Sequence, residues 1–365
     1  MPTVVFYVNI IRQARCIRRI EDFIAHGFNV KVYGFDRAGD NRKLPDFDHE
    51  IIGTISKTQS YSTRLMMMKK NISRTLQHNQ TKETLFYLFN FDVALAFLMN
   101  PKTRGCRYFY EVSDLMELTL SNAFLSKTLA RINKSIISHS FETILTSEGF
   151  IQFFYGKSSP DNLSLLPNKL NKRCNGWPRP APQTPKRHFK IGFAGAIRSK
   201  AVLNFAQIVG EKFPETELFF HGIFTDDGLY SPLIRSTIER YDNLHYSGPF
   251  KNPDDFPAIY ENIDLVLSLY SAHGNDCFLE PNKYYEALFF AKPIIVSANT
   301  FIGEKVTRQN VGFAIDGENE QSMMDFLKSL NEEDYTQKAL ACSHIRTEDL
   351  LENTDVFFHK IKNKL

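Results

Sequence analysis

The stretch TVVFYVNIIRQARCIRRIEDFIAHGFNVKVYGF, residues 3–35, decides the fold. It opens with an apolar run typical of a β-strand and continues with a helical segment whose apolar side chains recur every three or four residues. Gly27 follows that segment, at the position where helices commonly end in glycine. A second strand-like run, residues 30–35, completes a βαβ unit, and such units build parallel sheets.

The same alternation fills two blocks of the chain. In the first block, further strand-like runs occur at residues 84–89, 107–112, 142–146 and 163–166. The second block repeats the pattern from residue 189 and ends in a helical tail after residue 322. A chain of 365 residues is long enough for two domains, and each block has the alternation of a doubly wound sheet. The sequence therefore predicts two doubly wound, Rossmann-like α/β domains.

A proline-rich segment separates the two blocks. Residues 171–188 carry four prolines, and proline this dense cannot continue a helix or a central strand. We therefore predict a first domain over residues 1–170, a linker over 171–188, a second domain over 189–345, and a final helix over 346–365 that returns to the first domain. Ligands of open α/β sheets bind at the carboxyl ends of the strands, so we expect the site in a cleft between the domains.

Composition and missing motifs exclude several classes of function. The formal net charge of +3 offers no whole-chain argument for binding nucleic acid. Five cysteines, an odd number with no C-x-x-C pair, favour a reducing compartment, and the sequence shows no signal peptide and no run of 18 uncharged apolar residues. We expect a cytoplasmic protein without a transmembrane helix. The motifs of nicotinamide-dependent dehydrogenases, P-loop proteins and α/β-hydrolases are also missing.

The strongest functional signal is EPNKYYEALFFAKPIIV, residues 280–296. Pro281, Asn282 and Lys283 fall at the start of a predicted helix, where the fixed φ of proline is suitable. The free N–H groups and partial positive charge of such a helix start attract a diphosphate. Glu286 lies one turn further on, where a carboxylate can accept hydrogen bonds from two ribose hydroxyls. An ordinary amphipathic helix followed by a strand is the alternative interpretation.

A second signal is IGFAGAIRSK, residues 191–200, which predicts a strand, a turn of small residues and two cations. Gly195 permits a close approach of the backbone to a ligand. Arg198 and Lys200 can neutralise a diphosphate leaving group, and arginine is suited to bidentate contact. A solvated helix N-terminus with incidental cations is the alternative interpretation.

Both stretches resemble donor-site motifs of the retaining glycosyltransferase family with the GT-B fold (group 1 type). The first is similar to its Pro-Asn-Lys…Glu…Lys-Pro variant. The second is similar to its G-x-(L/I)-x-x-x-K loop, with a compressed spacing that leaves open whether Arg198 or Lys200 takes the phosphate. The resemblance implies that Glu286 holds the nucleotide ribose and that the amides of residues 281–283 face the phosphates. It also implies a donor-binding second domain, an acceptor-binding first domain, and a metal-independent, cofactor-free reaction that retains the anomeric configuration.

Two weaker features of the first domain follow the family's order. Arg15 lies in QARCIRR, residues 13–19, which is similar to the family's D-x-R-V-x-R opening with Gln13 in place of the first acid. Glu111 and Asp114 lie in YEVSDL, which resembles its Y-(D/E)-x-x-D-L strand end. The resemblance makes Arg15, Glu111 and Asp114 candidates for binding an acceptor, and a scaffold role is an equally good interpretation of each.

One departure from the family pattern affects the catalytic assignment. Phe278 stands where the family often has a first glutamate near the reacting sugar, although the Pro-Asn-Lys branch commonly lacks that acid. Glu280 is close to this position but out of register, and we place it with Arg198 and Lys200 among the catalytic candidates.

The predicted function is that of a glycosyltransferase. Its donor would be a nucleoside diphosphate sugar and its acceptor a glycan or lipid-linked saccharide, with bacterial surface polysaccharide as the family-level product. A non-catalytic GT-B subunit that binds nucleotide sugar or glycan, and a sugar-nucleotide epimerase, are the alternatives. Basic amphipathic segments at residues 60–77 and 123–139 would suit the inner face of the cell membrane, but core-facing helices with solvated basic faces are the preferred interpretation.

Overall fold

The computed structural model describes residues 2–56, 58–77, 79, 83–119, 122–156, 159–183, 185, 188–225 and 229–365. The chain divides into two compact units. Unit 1 comprises Met1–Leu166 and Thr354–Leu365, and unit 2 comprises Pro167–Asn353. Each unit contains one parallel sheet with helices packed on it, which confirms the prediction of two doubly wound α/β domains.

The sheet of unit 1 has seven parallel strands in the order β3-β2-β1-β4-β5-β6-β7. The strands are β1 Thr3–Val8, β2 Asn29–Arg37, β3 Glu50–Ile55, β4 Leu85–Phe89, β5 Arg107–Val112, β6 Glu142–Leu145 and β7 Leu163–Leu165. The helices are α1 Ala14–Ala25, α2 Tyr61–Leu76, α3 Asn90–Leu98, α4 Ala123–His139, α5 Glu148–Tyr155 and, at the C-terminus, α14 Asp355–Lys364. The strand order reverses between β1 and β4, which makes the carboxyl ends of these strands the switch point where ligands bind in doubly wound sheets.

An aromatic core holds the helices of unit 1 to the sheet. Phe23 of α1 meets Phe6 and Phe109 edge to face, with ring centres 5.2 and 5.5 Å apart. Phe358 of α14 lies 4.9 Å from the same Phe23 ring, also edge to face. Because this geometry brings the positive ring edge onto the negative ring face, it adds to the gain from burial.

A buried carboxylate also holds the C-terminal helix. Glu142 is 0% exposed and accepts hydrogen bonds from the Nζ atoms of Lys360 at 2.5 Å and Lys364 at 2.7 Å. The helix begins at Asp355, whereas the sequence suggested a start at residue 346. The preceding residues stay in unit 2 because the backbone around Leu351 is hydrogen-bonded to Leu170.

The sheet of unit 2 has six parallel strands in the order β10-β9-β8-β11-β12-β13. The strands are β8 Lys190–Ile197, β9 Glu217–Phe224, β10 Leu244–Gly248, β11 Leu265–Ser268, β12 Ile294–Ser297 and β13 Gly312–Ile315. The helices are α6 Lys200–Lys212, α7 Ser231–Arg240, α8 Phe256–Glu261, α9 Asn282–Phe289, α10 Phe301–Gln309, α11 Glu320–Ser329, α12 Glu332–His344 and α13 Thr347–Leu350. Both faces of this sheet are covered. Leu265 and Leu267 of β11 belong to one apolar cluster and Val266 to another, as strand alternation requires.

The proline-rich segment packs against unit 2 and does not form a free linker. Cys174 is fully buried there, and Trp177 packs against the cluster that contains α9. The guanidinium of Arg179 donates hydrogen bonds to four backbone carbonyls at the C-terminal ends of α9 and α12, those of Leu288, Phe289, Cys342 and Ile345. The carbonyls of Leu288 and Cys342 also accept backbone hydrogen bonds from Ala291 and Ile345, whereas Arg179 is the donor that the structure gives to the carbonyls of Phe289 and Ile345.

Candidate functional site

Two glycines with positive φ pair across β8 and β9 near the carboxyl ends of these strands. Gly195 and Gly222 are register partners, with φ of +141° and +137°. A Cβ on Gly222 would lie 1.9 Å from the carbonyl oxygen of Gly195, so neither the conformation nor the space admits a side chain there. The sequence motif included Gly195 but not Gly222. Only the strand register shows that the two act together.

Lys283 brings the two sequence motifs into contact. Its side chain crosses from α9 to β8, where Nζ lies 3.1 Å from the position that a Cβ on Gly195 would take. The ammonium group donates a hydrogen bond to the Tyr270 hydroxyl at 3.2 Å and stands 4.5 Å from the ring centre of Phe193. Lys283 is 8% exposed, and no carboxylate of the described residues lies within ion-pair distance of it. A buried cation without a counterion is suited to receive an anionic ligand.

Two further cations follow β8 directly. Arg198 and Lys200 are both exposed, and within the described part of the chain neither forms an ion pair. The loop that carries them is held to the end of β11, because Ser199 Oγ donates to the Leu269 carbonyl at 3.2 Å. Burial raises the pKa of Asp276, and the charge of Arg198 opposes that rise. The two cations are thus available to a ligand at this edge of the sheet.

The start of α9 carries Lys283 and is the predicted anion-binding helix N-terminus. Pro281 is the N-cap residue and provides no side-chain cap, and Asn282 at the first helical position is exposed. Glu286, one turn inside, is 6% exposed and accepts a hydrogen bond from the Tyr260 hydroxyl at 2.5 Å. Burial raises the pKa of Glu286, while the bond from Tyr260 and the charge of Lys283 act in the opposite direction. The helix start and its glutamate therefore occupy the positions that the sequence motif suggested.

Glu280 has a different environment from the one expected of a catalytic acid. It is 3% exposed, and its Oε1 accepts hydrogen bonds from Tyr285 and from Lys305, each at 2.5 Å. The carboxylate is therefore neutralised by Lys305 of α10 and ties that helix to α9, so the geometry favours a positioning role. Phe278 ends a short 3-10 turn just before it. Sequence reasoning missed Lys305, because no motif marks its helix.

The candidates of unit 1 meet around a buried glutamate at the end of β5. Glu111 is 0% exposed, and its Oε2 accepts hydrogen bonds from Arg19 Nε at 2.9 Å and from the Tyr87 hydroxyl. Burial lowers the pKa of Arg15, and the charges of Glu111 and Asp114 oppose this. Complete burial prevents Glu111 from touching an acceptor directly. Its contacts make it a positioning residue for Arg19, which the sequence motif had not singled out although it lies one helical turn after Arg15.

Two kinds of feature are not found among the residues that the structure describes. No group of three His, Cys, Asp or Glu side chains is placed to hold a metal ion. Within the same residues, no helix combines the length and the apolar character needed to cross a bilayer.

Comparison with known proteins gives one distant sequence relative and many structural neighbours. No protein-family model matches the chain. The succinoglycan biosynthesis protein ExoL of Rhizobium meliloti (strain 1021) is 22% identical over 244 residues, a match that covers 63% of this chain and 59% of that protein. The match thus spans less than two thirds of that relative's length.

The structural neighbours cover nearly the whole chain. Sucrose-phosphate synthase from Thermosynechococcus elongatus superimposes with a TM-score of 0.69 at 13% identity, covering 99% of this chain and 98% of that one. The chain has the GT-B fold. HepE of Anabaena in complex with UDP-glucose gives a TM-score of 0.66 at 12% identity over 100% of both chains. WaaG, a glycosyltransferase involved in lipopolysaccharide biosynthesis, gives 0.62 at 14% identity over 94% of both chains.

Proposed function

We propose that this protein is a glycosyltransferase that moves a sugar from a nucleoside diphosphate sugar to a saccharide or lipid-linked saccharide acceptor. The observation that carries the proposal is the buried ammonium of Lys283 beside Gly195, with Arg198 and Lys200 close by in sequence. The structural likeness to HepE, which was solved with UDP-glucose, supports a nucleotide-sugar donor. The likeness to ExoL and WaaG supports a place in bacterial surface polysaccharide synthesis. We also propose that the protein works at the cytoplasmic face of the membrane.

The proposed chemistry is electrostatic stabilisation of a departing diphosphate. The bond between the anomeric carbon and the β-phosphate oxygen breaks as a bond to an acceptor hydroxyl oxygen forms. Negative charge grows on the departing diphosphate, where Lys283, Arg198 and Lys200 and the N–H groups of α9 can stabilise it. The proton of the acceptor hydroxyl passes to the departing phosphate oxygen and completes the transfer. Side-chain cations and a helix start take the place of a metal ion, and we propose that the anomeric configuration is retained. Glu286 would accept hydrogen bonds from the ribose.

A second candidate function is a non-catalytic subunit that binds nucleotide sugar. The observation that favours it is the environment of Glu280, whose carboxylate is held by Tyr285 and Lys305, together with Phe278 at the position of the family's first acid. Donor binding without release of nucleoside diphosphate, tested over a panel of saccharide acceptors, would support this candidate. Turnover with any acceptor, or hydrolysis of the donor, would eliminate it.

The experiment that tests donor binding is a thermal-shift panel of nucleoside diphosphate sugars. A ligand that binds only the folded state raises the melting temperature, so one nucleoside diphosphate sugar is expected to stabilise the protein. Arg198→Ala and Glu286→Ala should abolish that shift. Lys190→Ala is the matched control, because Lys190 begins the same strand at its opposite end and pairs with Glu217. If no nucleotide sugar gives a shift, the proposal is wrong.

A further inference from the structure

Unit 1 carries an apolar groove between α3 and α4 that the proposed reaction does not use. The groove has a volume of about 560 Å³. Its apolar lining comes from both helices and the start of β5: Leu95, Leu98, Met99, Tyr108, Ile132 and Ile136. Leu98 and Met99 are each 36% exposed, so the groove opens to solvent along its α3 side.

A basic groove lies next to it, between α2 and the turn that follows α3. It has a volume of about 370 Å³, and Lys69, Lys70 and Arg74 line it together with Met66. Within the described ranges, none of the three cations pairs with a carboxylate. Met66, one turn before Lys70 on α2, is 53% exposed. The groove thus concentrates three uncompensated positive charges around an exposed apolar side chain.

The two grooves meet at consecutive residues. Met99 lines the apolar groove and Asn100 lines the basic one. The Asn100 side chain donates a hydrogen bond to the Ala96 carbonyl at 2.9 Å, which fixes the corner between them. Arg104, which has no ion-pair partner in the described part of the chain, lines the apolar groove from the same turn. Cations therefore lie beside an apolar groove that is open to solvent.

This surface lies at the end of the sheet opposite the candidate site of unit 1. Arg104 and Gly105 line the apolar groove just before β5 begins at Arg107. Glu111, by contrast, lies near the carboxyl end of β5. Because ligands of doubly wound sheets react at the carboxyl ends, an occupant of these grooves is not a substrate of the proposed transfer.

We propose that the two grooves bind an anionic glycerophospholipid of a bilayer leaflet, with its phosphate against Lys69, Lys70 and Arg74 and an acyl chain in the apolar groove. The proposal deepens the membrane location in the proposed function by naming the surface and the lipid class. A free phosphate group would use the cations but leave the apolar groove empty. A lipid uses both, and the exposed Leu98 and Met99 side chains gain from its acyl chain.

Vesicle sedimentation with the full-length chain tests the proposal. The protein is expected to bind vesicles of phosphatidylcholine with phosphatidylglycerol and not vesicles of phosphatidylcholine alone, and the binding should weaken with added salt. Neutralising all three groove cations to Gln should lower the partition coefficient on the order of a hundredfold. The matched control removes three exposed lysines elsewhere, Lys251, Lys328 and Lys362, at the same cost in net charge, and should change binding far less.

The apolar groove is tested separately. Leu98→Gln with Met99→Gln should weaken vesicle binding several-fold while leaving its salt dependence unchanged, since no charge is altered. The proposal is overturned if the triple Gln variant and the lysine control lose the same amount of vesicle binding. It is also overturned if free inorganic phosphate abolishes vesicle binding while the Leu98 and Met99 substitutions leave that binding unchanged. Near-ultraviolet circular dichroism checks that each variant is folded. The donor-induced thermal shift of the same variants should be unchanged, so failure of the lipid site and failure of the proposed enzyme function are measured independently.

Discussion

Replacing Lys283 with Met separates the charge at the candidate site from the packing around it. The Met side chain can fill the space of the lysine stem against Phe193 but carries no ammonium group. Lys283 forms no ion pair with a described carboxylate, and the buried Glu286 that feels its charge keeps the hydrogen bond from Tyr260. The free energy of unfolding should therefore change by about 1 kcal/mol. A hydrogen bond to a charged group contributes about 1.5–3 kcal/mol, so nucleoside diphosphate affinity should fall by about 10- to 100-fold.

Calorimetric titration with the free nucleoside diphosphate measures this effect, and urea unfolding measures the cost in stability. Tyr270→Phe is the matched control, because it removes the hydrogen bond to Lys283 and keeps the cation. It should weaken binding only a few-fold. If Lys283→Met binds the diphosphate as tightly as the unaltered protein, the ammonium does not face the phosphates. If the free energy of unfolding of Lys283→Met falls by several kcal/mol, Lys283 has a structural role and its assignment as a ligand-binding cation is wrong.

Three further predictions concern pH dependence and stability. Burial raises the pKa of Glu286, so donor affinity should fall with decreasing pH, beginning above the usual titration range of glutamate. Glu286→Gln should bind the donor weakly, and its dissociation constant, measured over the same pH range, should show no such dependence. Arg179→Ala should cost about 2 kcal/mol in urea unfolding, because the carbonyls of Phe289 and Ile345 lose their donor. Arg173→Ala breaks an exposed ion pair and should cost under about 0.5 kcal/mol, and equal losses would contradict the capping role. Lys360→Met leaves the buried Glu142 with a single cation and should lower the free energy of unfolding by about 1–3 kcal/mol. An unchanged midpoint of urea unfolding would show that the contact does not contribute to stability.

Local pattern predicted most of the strands of both units, but β3, β10 and β13 were not predicted. The run at residues 3–35 forms β1, α1 and β2 in the predicted order, because the spacing of its apolar residues and the glycine after the helix indicate the same elements. The prediction was weakest where long-range packing decides. Proline density suggested a linker, but Arg179 anchors that segment to two helix ends that lie far away in sequence. No local pattern distinguishes a proline-rich segment that packs from one that does not.

The candidate site shows the same division. The place of site residues at the carboxyl ends of strands and at a helix start could be predicted, because backbone geometry requires particular residue types there, as at Gly195. Side-chain direction could not be, since it depends on partners distant in sequence. Glu280 and Glu111 were expected to face a ligand, yet each is paired with a cation from a helix, Lys305 of α10 in one case and Arg19 of α1 in the other. Both are buried carboxylates with a cationic partner, although Oε1 of Glu111 accepts no hydrogen bond among the described residues.

The three cations of unit 2 differ in what holds them, and this determines what each can contribute. Lys283 is buried and hydrogen-bonded to Tyr270, so little side-chain freedom remains to be lost when a phosphate arrives. Arg198 and Lys200 are exposed, and ordering them on binding consumes part of the energy they provide. Charge that grows on a leaving group is stabilised best by groups already fixed in place and shielded from water. Lys283 should therefore contribute more than either exposed cation to stabilising the departing diphosphate, although motif spacing alone pointed first to Arg198 and Lys200.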